Sequence, residues 1–348
     1  MQIADNIPKT FTAPQTNPFN LTNVGLNASP TFVDIDGDGD LDAFVGARDG
    51  NTRYYQNTGT ASAPVFAAPQ TNPFNLTDVG YAASPTFVDI DGDGDLDAFV
   101  GAKDGNTRYY RNTGTASAPV FAAPQTNPFN LTNVGSYASP TLVDIDGDGD
   151  LDAFVGLFDG NTRYYQNTGT ASAPVFAAPQ TNPFNLTDVG YAASPTFVDI
   201  DGDGDLDAFV GAKDGNTRYY RNTGTASAPV FAAPQTNPFN LTNVGSYASP
   251  TLVDIDGDGD LDAFVGLFDG NTRYYQNTGT ASAPVFAAPQ TNPFNLTNVG
   301  NYASPTFVDI DGDGDLDAFV GANDGNTRYY QNTGTASAPV FAAPQTNP

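Results

Sequence analysis

Apolar and polar positions alternate along SPTFVDI (residues 29–35), the period-two signature of a β-strand with two unlike faces. An aspartate-rich run separates it from LDAFVGA (41–47), a second strand that ends at the turn dipeptide Asp49-Gly50. NTRYYQN (51–57) follows as a third strand, and Asp-Gly between two such runs predicts a tight hairpin. NTGTASA reads as a loop and PVFAAPQ (64–70) as a fourth strand. Its two prolines lack the N–H that an inner strand must donate, which assigns it to an outer edge. TNPFNLTDVG (71–80) then links to the next unit.

This pattern returns every 55 residues, with the aspartate run starting at Asp34, Asp89, Asp144, Asp199, Asp254 and Asp309. The units are 29–83, 84–138, 139–193, 194–248, 249–303 and 304–348; residues 84–138 and 194–248 are identical. Tandem four-stranded meanders predict an all-β fold: one β-propeller domain over residues 1–348, with six four-stranded blades. An open array of the same units is the rival arrangement. KTFTAPQTNPFNL (9–21) reads as an extra fourth strand plus linker, and SAPVFAAPQTNP (337–348) as another. A ring closes when one of them completes the last blade and removes a free sheet edge. The pattern leaves open which copy does so.

Composition sharpens this picture. The chain carries 39 acidic residues, all aspartate, against 12 lysines and arginines, for a net charge of −27. Such a surface excludes nucleic-acid backbones as partners, and anionic membranes unless a cation bridges the two. No apolar run is long enough to span a bilayer, so no membrane insertion is expected, and MQIADNIPKT does not read as a signal peptide. Histidine, cysteine, glutamate and tryptophan are absent. That removes disulfides, soft-metal ligands and the commonest general bases, and the chain is expected not to be an enzyme.

The charge is concentrated in DIDGDGDLD (34–42), where five aspartates fall within nine residues. Carboxylates at its first, third, fifth and ninth positions turn inward if glycine at the sixth permits a sharp bend, and the seventh can offer its carbonyl. An all-oxygen set of that size suits calcium, which takes about six to eight ligands. An EF-hand would need glutamate where Val45 stands. Without a cation, so many converging carboxylates would repel one another. The candidate metal residues are Asp34, Asp36, Asp38, Asp40 and Asp42; Asp89, Asp91, Asp93, Asp95 and Asp97; Asp144, Asp146, Asp148, Asp150 and Asp152; Asp199, Asp201, Asp203, Asp205 and Asp207; Asp254, Asp256, Asp258, Asp260 and Asp262; and Asp309, Asp311, Asp313, Asp315 and Asp317. About six Ca2+ ions per chain are expected.

The loop followed by LDAFVGA, with NTGTASAPVF downstream, resembles the FG-GAP/VCBS repeats of integrin-α-type β-propellers over nearly the whole chain. The resemblance implies side-chain ligation by Asp34, Asp36, Asp38 and Asp42 and carbonyl ligation by Asp40, with the same roles in the other five copies. It places the calcium loop between the first and second strands and the partner-binding loops on the opposite face. The expected function is a calcium-stabilised extracellular binding or adhesion scaffold with a protein or glycan ligand. A multivalent lectin and a ligand-free structural or designed repeat protein are the alternatives. Extracellular modules bind calcium at about 10⁻⁴–10⁻³ M, which favours the cell surface over the cytosol.

Other recurrent residues have simpler expectations. Tyr54, Tyr55, Phe32, Phe44 and Phe66 should pack between sheets, and Arg53 should pair with an aspartate or a carbonyl. The Asn-Leu-Thr sequons at Asn20, Asn75, Asn130, Asn185, Asn240 and Asn295 read as turn chemistry. Units with Phe at position 32 or its equivalent carry Ala at the equivalent of 47, whereas Leu142 and Leu252 accompany Leu157 and Leu267, a volume-conserving exchange. Unit-to-unit differences collect before Asp-Gly (Arg48, Lys103, Phe158, Lys213, Phe268, Asn323) and in the linkers (Leu26, Asn27, Tyr81, Tyr137, Tyr191, Tyr247, Asn301, Tyr302).

Overall fold

A computed structural model describes residues 15–16, 19–335 and 339. It contains six four-stranded antiparallel sheets. In blade one the strands are Ser29–Val33, Asp42–Gly46, Thr52–Tyr55 and Gln70–Thr71, hydrogen-bonded in that order. Each blade's first strand packs against those of its neighbours, and Ser304–Val308 of blade six returns to Ser29–Val33. The arrangement is therefore a closed six-bladed propeller with the first strands innermost. Gln15–Thr16 closes it by pairing with Tyr329 and Arg328 as the outermost strand of blade six. The competing C-terminal copy, 337–348, lies outside the described residues apart from Pro339.

The outer strand differs from its expected extent. PVFAAPQ was expected to form it, but the regular strand begins only at Gln70. Phe66 makes a single bridge to Asn57, while Gln70 pairs with Tyr54. One extra residue thus lies on the outer strand between these two pairs, which is the count of a β-bulge. Pro69, which has no N–H to donate, falls inside that slip.

Six interblade clusters make up the core, each drawing on two neighbouring blades. Phe44 lies 4.7 Å from Tyr54 and 4.2 Å from Phe87 of the next blade, ring centre to ring centre. Tyr54, Tyr55, Phe44 and Phe66 are all buried, as their spacing predicts. Gly46 is required at the end of the second strand. A Cβ there would fall 2.3 Å from the carbonyl oxygen of Ala83, in the linker entering the next blade.

The linkers are fastened by their asparagines. Asn75 adopts φ 71 and donates its side-chain amide to the carbonyl of Phe121 in the next blade, at 3.0 Å. Asn20, Asn130, Asn185 and Asn240 make the same bond to Phe66, Phe176, Phe231 and Phe286. The sequon asparagine therefore ties a left-handed turn to the neighbouring blade.

The paired volume changes share a cluster: Phe32 with Ala47, and Leu142 with Leu157. Leu157→Ala is expected to destabilise the protein by about 2–4 kcal/mol, through lost burial and the cavity left behind. Adding Leu142→Phe recreates the pair found in blade one and should recover part of the loss. Urea unfolding of the two variants measures this; a double variant no more stable than the single one would refute the compensation.

Candidate metal centre

The aspartate run connects the first and second strands as a tight loop at one end of each blade. Gly37 and Gly39 adopt φ 69 and 93, which only glycine reaches without strain. The carboxylate of Asp34 accepts the backbone N–H groups of Asp38 and Gly39 at 3.1 and 3.0 Å, and Asp38 accepts that of Asp40 at 3.1 Å. The loop so folded brings one carboxylate oxygen each of Asp34, Asp36 and Asp38 within 4.8 Å of one another. The same triads form at Asp89, Asp91 and Asp93, at Asp144, Asp146 and Asp148, at Asp199, Asp201 and Asp203, and at Asp254, Asp256 and Asp258, with one more besides. The loop of blade six repeats the backbone bonds to Asp309. Each of these acidic triads could hold a metal ion.

The middle aspartate carries the strongest sign. Oδ2 of Asp36 accepts a hydrogen bond from the Gln56 amide at 2.9 Å, but its Oδ1 is buried without a partner. The same oxygen is orphaned in Asp91, Asp146, Asp201, Asp256 and Asp311. Oδ1 of Asp40 and of Asp315 is likewise buried and unpartnered. Asp95, Asp150, Asp205 and Asp260, at the equivalent position, are half-buried.

Asp42 lies outside the triad. Its Oδ2 accepts the Tyr54 hydroxyl at 2.9 Å and its Oδ1 the Asn57 backbone N–H at 2.6 Å. Only 1% of the residue is exposed. Burial pushes its carboxyl up to about 7, while the two hydrogen bonds pull it back toward the ionised form. Asp97, Asp152, Asp207 and Asp262 are raised similarly, also to about 7, and Asp317 to about 8. The ninth position thus joins the acidic loop to the third strand, a role that spacing alone did not suggest.

The end of the third strand was also missed. Gln56, Gln166, Gln276 and Gln331 face the middle aspartates of their own loops, whereas blades two and four place Arg111 and Arg221 there. The signal was visible as YYQN against YYRN.

Hairpins and linkers meet at the other end of the blades. The Ala83 and Val79 N–H groups bond to the Ala47 and Gly50 carbonyls. Arg53, Arg108, Arg218 and Arg328 each pair with the hairpin aspartate four residues earlier. In the two phenylalanine-bearing blades, Arg163 and Arg273 instead donate to the Asn133 and Asn243 carbonyls. Here a cavity of about 530 Å³ opens, and Ser139, Ser194, Ser249 and Ser304 of four successive blades line it. Because these serines sit at the innermost strands, the cavity lies at the ring axis. Phe158 and Phe268 border it, 37% and 39% exposed. Their rings contact those of Tyr137, Tyr191, Tyr247 and Tyr302 at ring-centre distances of 4.6–5.9 Å, stacked on Tyr247 and edge-on to Tyr191 and Tyr302. The two hairpin phenylalanines are therefore gathered into one aromatic mouth.

A model of the FG-GAP-like repeat matches residues 34–100, 89–155, 144–210, 199–265 and 254–320. Comparison with curated proteins finds no match. Among solved structures, an Agrocybe aegerita lectin described as recognising non-reducing terminal N-acetylglucosamine is 19% identical, with a TM-score of 0.53, over 91% of this chain and 79% of that one. The Photorhabdus luminescens Tc holotoxin pore is 16% identical, with a TM-score of 0.49, over 95% of this chain and 15% of that one. BBS1N, in complex with ARL6DN, is 13% identical, with a TM-score of 0.48, over 90% of this chain and 96% of that one. At 19% identity the likeness to the lectin is one of fold.

Tyr54→Phe removes one of the two donors to the buried Asp42 carboxylate. A loss of about 1–3 kcal/mol is expected for a buried acceptor left short of a partner. Chemical denaturation checks this, and an unchanged midpoint would contradict the strut role of Asp42.

Proposed function

The chain belongs to the FG-GAP-like repeat family, and from that premise we propose that it is a calcium-stabilised propeller acting outside the cytosol as a binding scaffold. The observation that carries the metal reading is the orphaned Oδ1 of the middle loop aspartate in every blade. A buried polar atom without a partner is unfavourable by about 1–3 kcal/mol, and a cation at that point supplies the partner. Asp34, Asp36 and Asp38 and their equivalents would hold the ion. The donors are all oxygen, which favours a hard cation, and calcium tolerates irregular coordination where magnesium demands a near-ideal octahedron. Six divalent ions would offset twelve of the 27 net negative charges. When bound, the cation supplies charge neutralisation and cross-linking of the loop. The affinity typical of extracellular modules supports a location outside the cytosol. No catalytic step is assigned to the chain.

Binding is assigned to the axial mouth at the end opposite the metal loops. Concave sites that combine aromatic walls with a few polar groups are the usual form of small-ligand pockets. Ring faces from Phe158, Phe268 and Tyr302, next to the hydroxyls of Ser194, Ser249 and Ser304, favour a second, narrower reading as a lectin for neutral sugars. The terminal N-acetylglucosamine recognised by the Agrocybe aegerita lectin supplies a first probe.

Chelation should lower the melting temperature by several degrees or more, and readdition of calcium should restore it. At tenfold excess over Kd each site adds about 1.4 kcal/mol. Thermal melts with and without chelator, together with metal analysis, test this. An unchanged melt with fewer than one ion per chain would sink the calcium reading. For the mouth, a glycan array probed with the wild-type chain and with Phe158→Ser/Phe268→Ser should show binding that the double variant loses. Binding by neither protein would remove the lectin reading, and equal binding by both would move the glycan site away from the mouth.

A further inference from the structure

We propose that the six metal loops form two affinity classes, four strong and two weak, because Arg111 and Arg221 act as resident counter-charges in blades two and four. This inference rests on the calcium reading and concerns how that site is tuned.

In four blades a neutral amide meets the middle aspartate: Gln56 to Asp36 at 2.9 Å, with Gln166, Gln276 and Gln331 alike at 2.7–2.9 Å. In blade two Nε of Arg111 lies 2.6 Å from Oδ2 of Asp91, and its NH2 group 3.3 Å from Oδ2 of Asp93. Arg221 repeats this at 2.7 and 3.4 Å on Asp201 and Asp203. One guanidinium therefore spans two of the three carboxylates that would hold the cation.

The arginine does not fill the site. Asp91 and Asp201 are only 8% and 9% exposed, yet Oδ1 of each remains without a partner, as in the glutamine blades. The cation position thus persists, now beside a fixed positive charge. Even at the dielectric of bulk water, repulsion between a monovalent and a divalent cation a few ångströms apart corresponds to on the order of tenfold weaker binding. The arginine side chains are 49% and 50% exposed, so they can swing into solvent when the ion enters. Without calcium they neutralise part of their loops, which makes blades two and four the less calcium-dependent part of the ring.

Calorimetric titration of the calcium-free full chain with calcium alone tests the proposal. The expected result is about four sites of one affinity and two about tenfold weaker. Arg111→Gln/Arg221→Gln installs the residue the other blades carry and should convert the titration to six equivalent sites. It should also lower the melting temperature in chelator, where the counter-charges are missed. Gln166→Arg, the converse change, should turn a third site weak. Six equivalent sites in the wild type, or a titration unaltered by these variants, would overturn the two-class proposal while leaving calcium binding intact. Absence of any calcium binding would overturn the calcium reading itself, and the two classes with it.

Discussion

The constraint on which the molecule depends is that no blade can cover its own faces. A four-stranded sheet this short has two sides and, among the described residues, no α-helix to shelter them, so each side must be buried by a neighbouring sheet. The aromatic residues answer that need directly. Phe44 reaches both Tyr54 of its own blade and Phe87 of the next, and the ring contact recurs as Phe154–Phe197, Phe264–Phe307 and Phe319–Phe32, with Leu142 and Leu252 in the remaining two blades. Once every sheet requires a partner on each side, an open row would leave two end faces exposed. Closure removes them. Gln15–Thr16, paired to Thr327–Tyr330, joins the two ends of the chain within one sheet.

Closure also divides the molecule into two ends. The meander sends the aspartate loops one way and the hairpins and linkers the other. At the acidic end, backbone N–H groups bonded to Asp34 and Asp38 shape the loop, while one oxygen of Asp36 stays unanswered. Asp42 connects this loop to the core through Tyr54, whose ring packs against Phe44 and Phe74. Charge in the loop and packing between blades therefore meet in one buried hydrogen bond. At the other end the same symmetry is broken by a few substitutions. Phe158 and Phe268 stand where other blades carry Arg48, Lys103, Lys213 or Asn323. Lys103 and Lys213 lie over the tyrosine rings of the adjoining linkers instead, at 4.3–5.5 Å.

Much of this was legible along the chain because it is local. Alternation marked the first strand, Asp-Gly marked the hairpin, and the 55-residue period marked the blades. The oxygen-only side chains of the aspartate loop were legible too, since donor type depends on composition rather than on tertiary contact. The outer strand was read less well. PVFAAPQ looks like a strand by composition, yet the bulge spanning Pro69 sets its register, and a bulge is a property of two paired strands. Asn75 looked like turn chemistry, but its partner, the Phe121 carbonyl, lies 46 residues away in another blade.

The sequence by itself determined the repeat, the strand order within a unit, the buried aromatic positions and the loops that gather negative charge. All of these follow from side-chain type and spacing within a few residues. Tertiary structure alone decided that Gln15–Thr16 closes the ring, that Asp42 accepts the Tyr54 hydroxyl, and that Oδ1 of Asp36 is left without a partner. It alone brought Tyr137, Phe158, Tyr247, Phe268 and Tyr302 to one mouth. These outcomes rest on contacts between distant residues, and burial, on which the unpaired oxygen depends, exists only once neighbouring blades have excluded water.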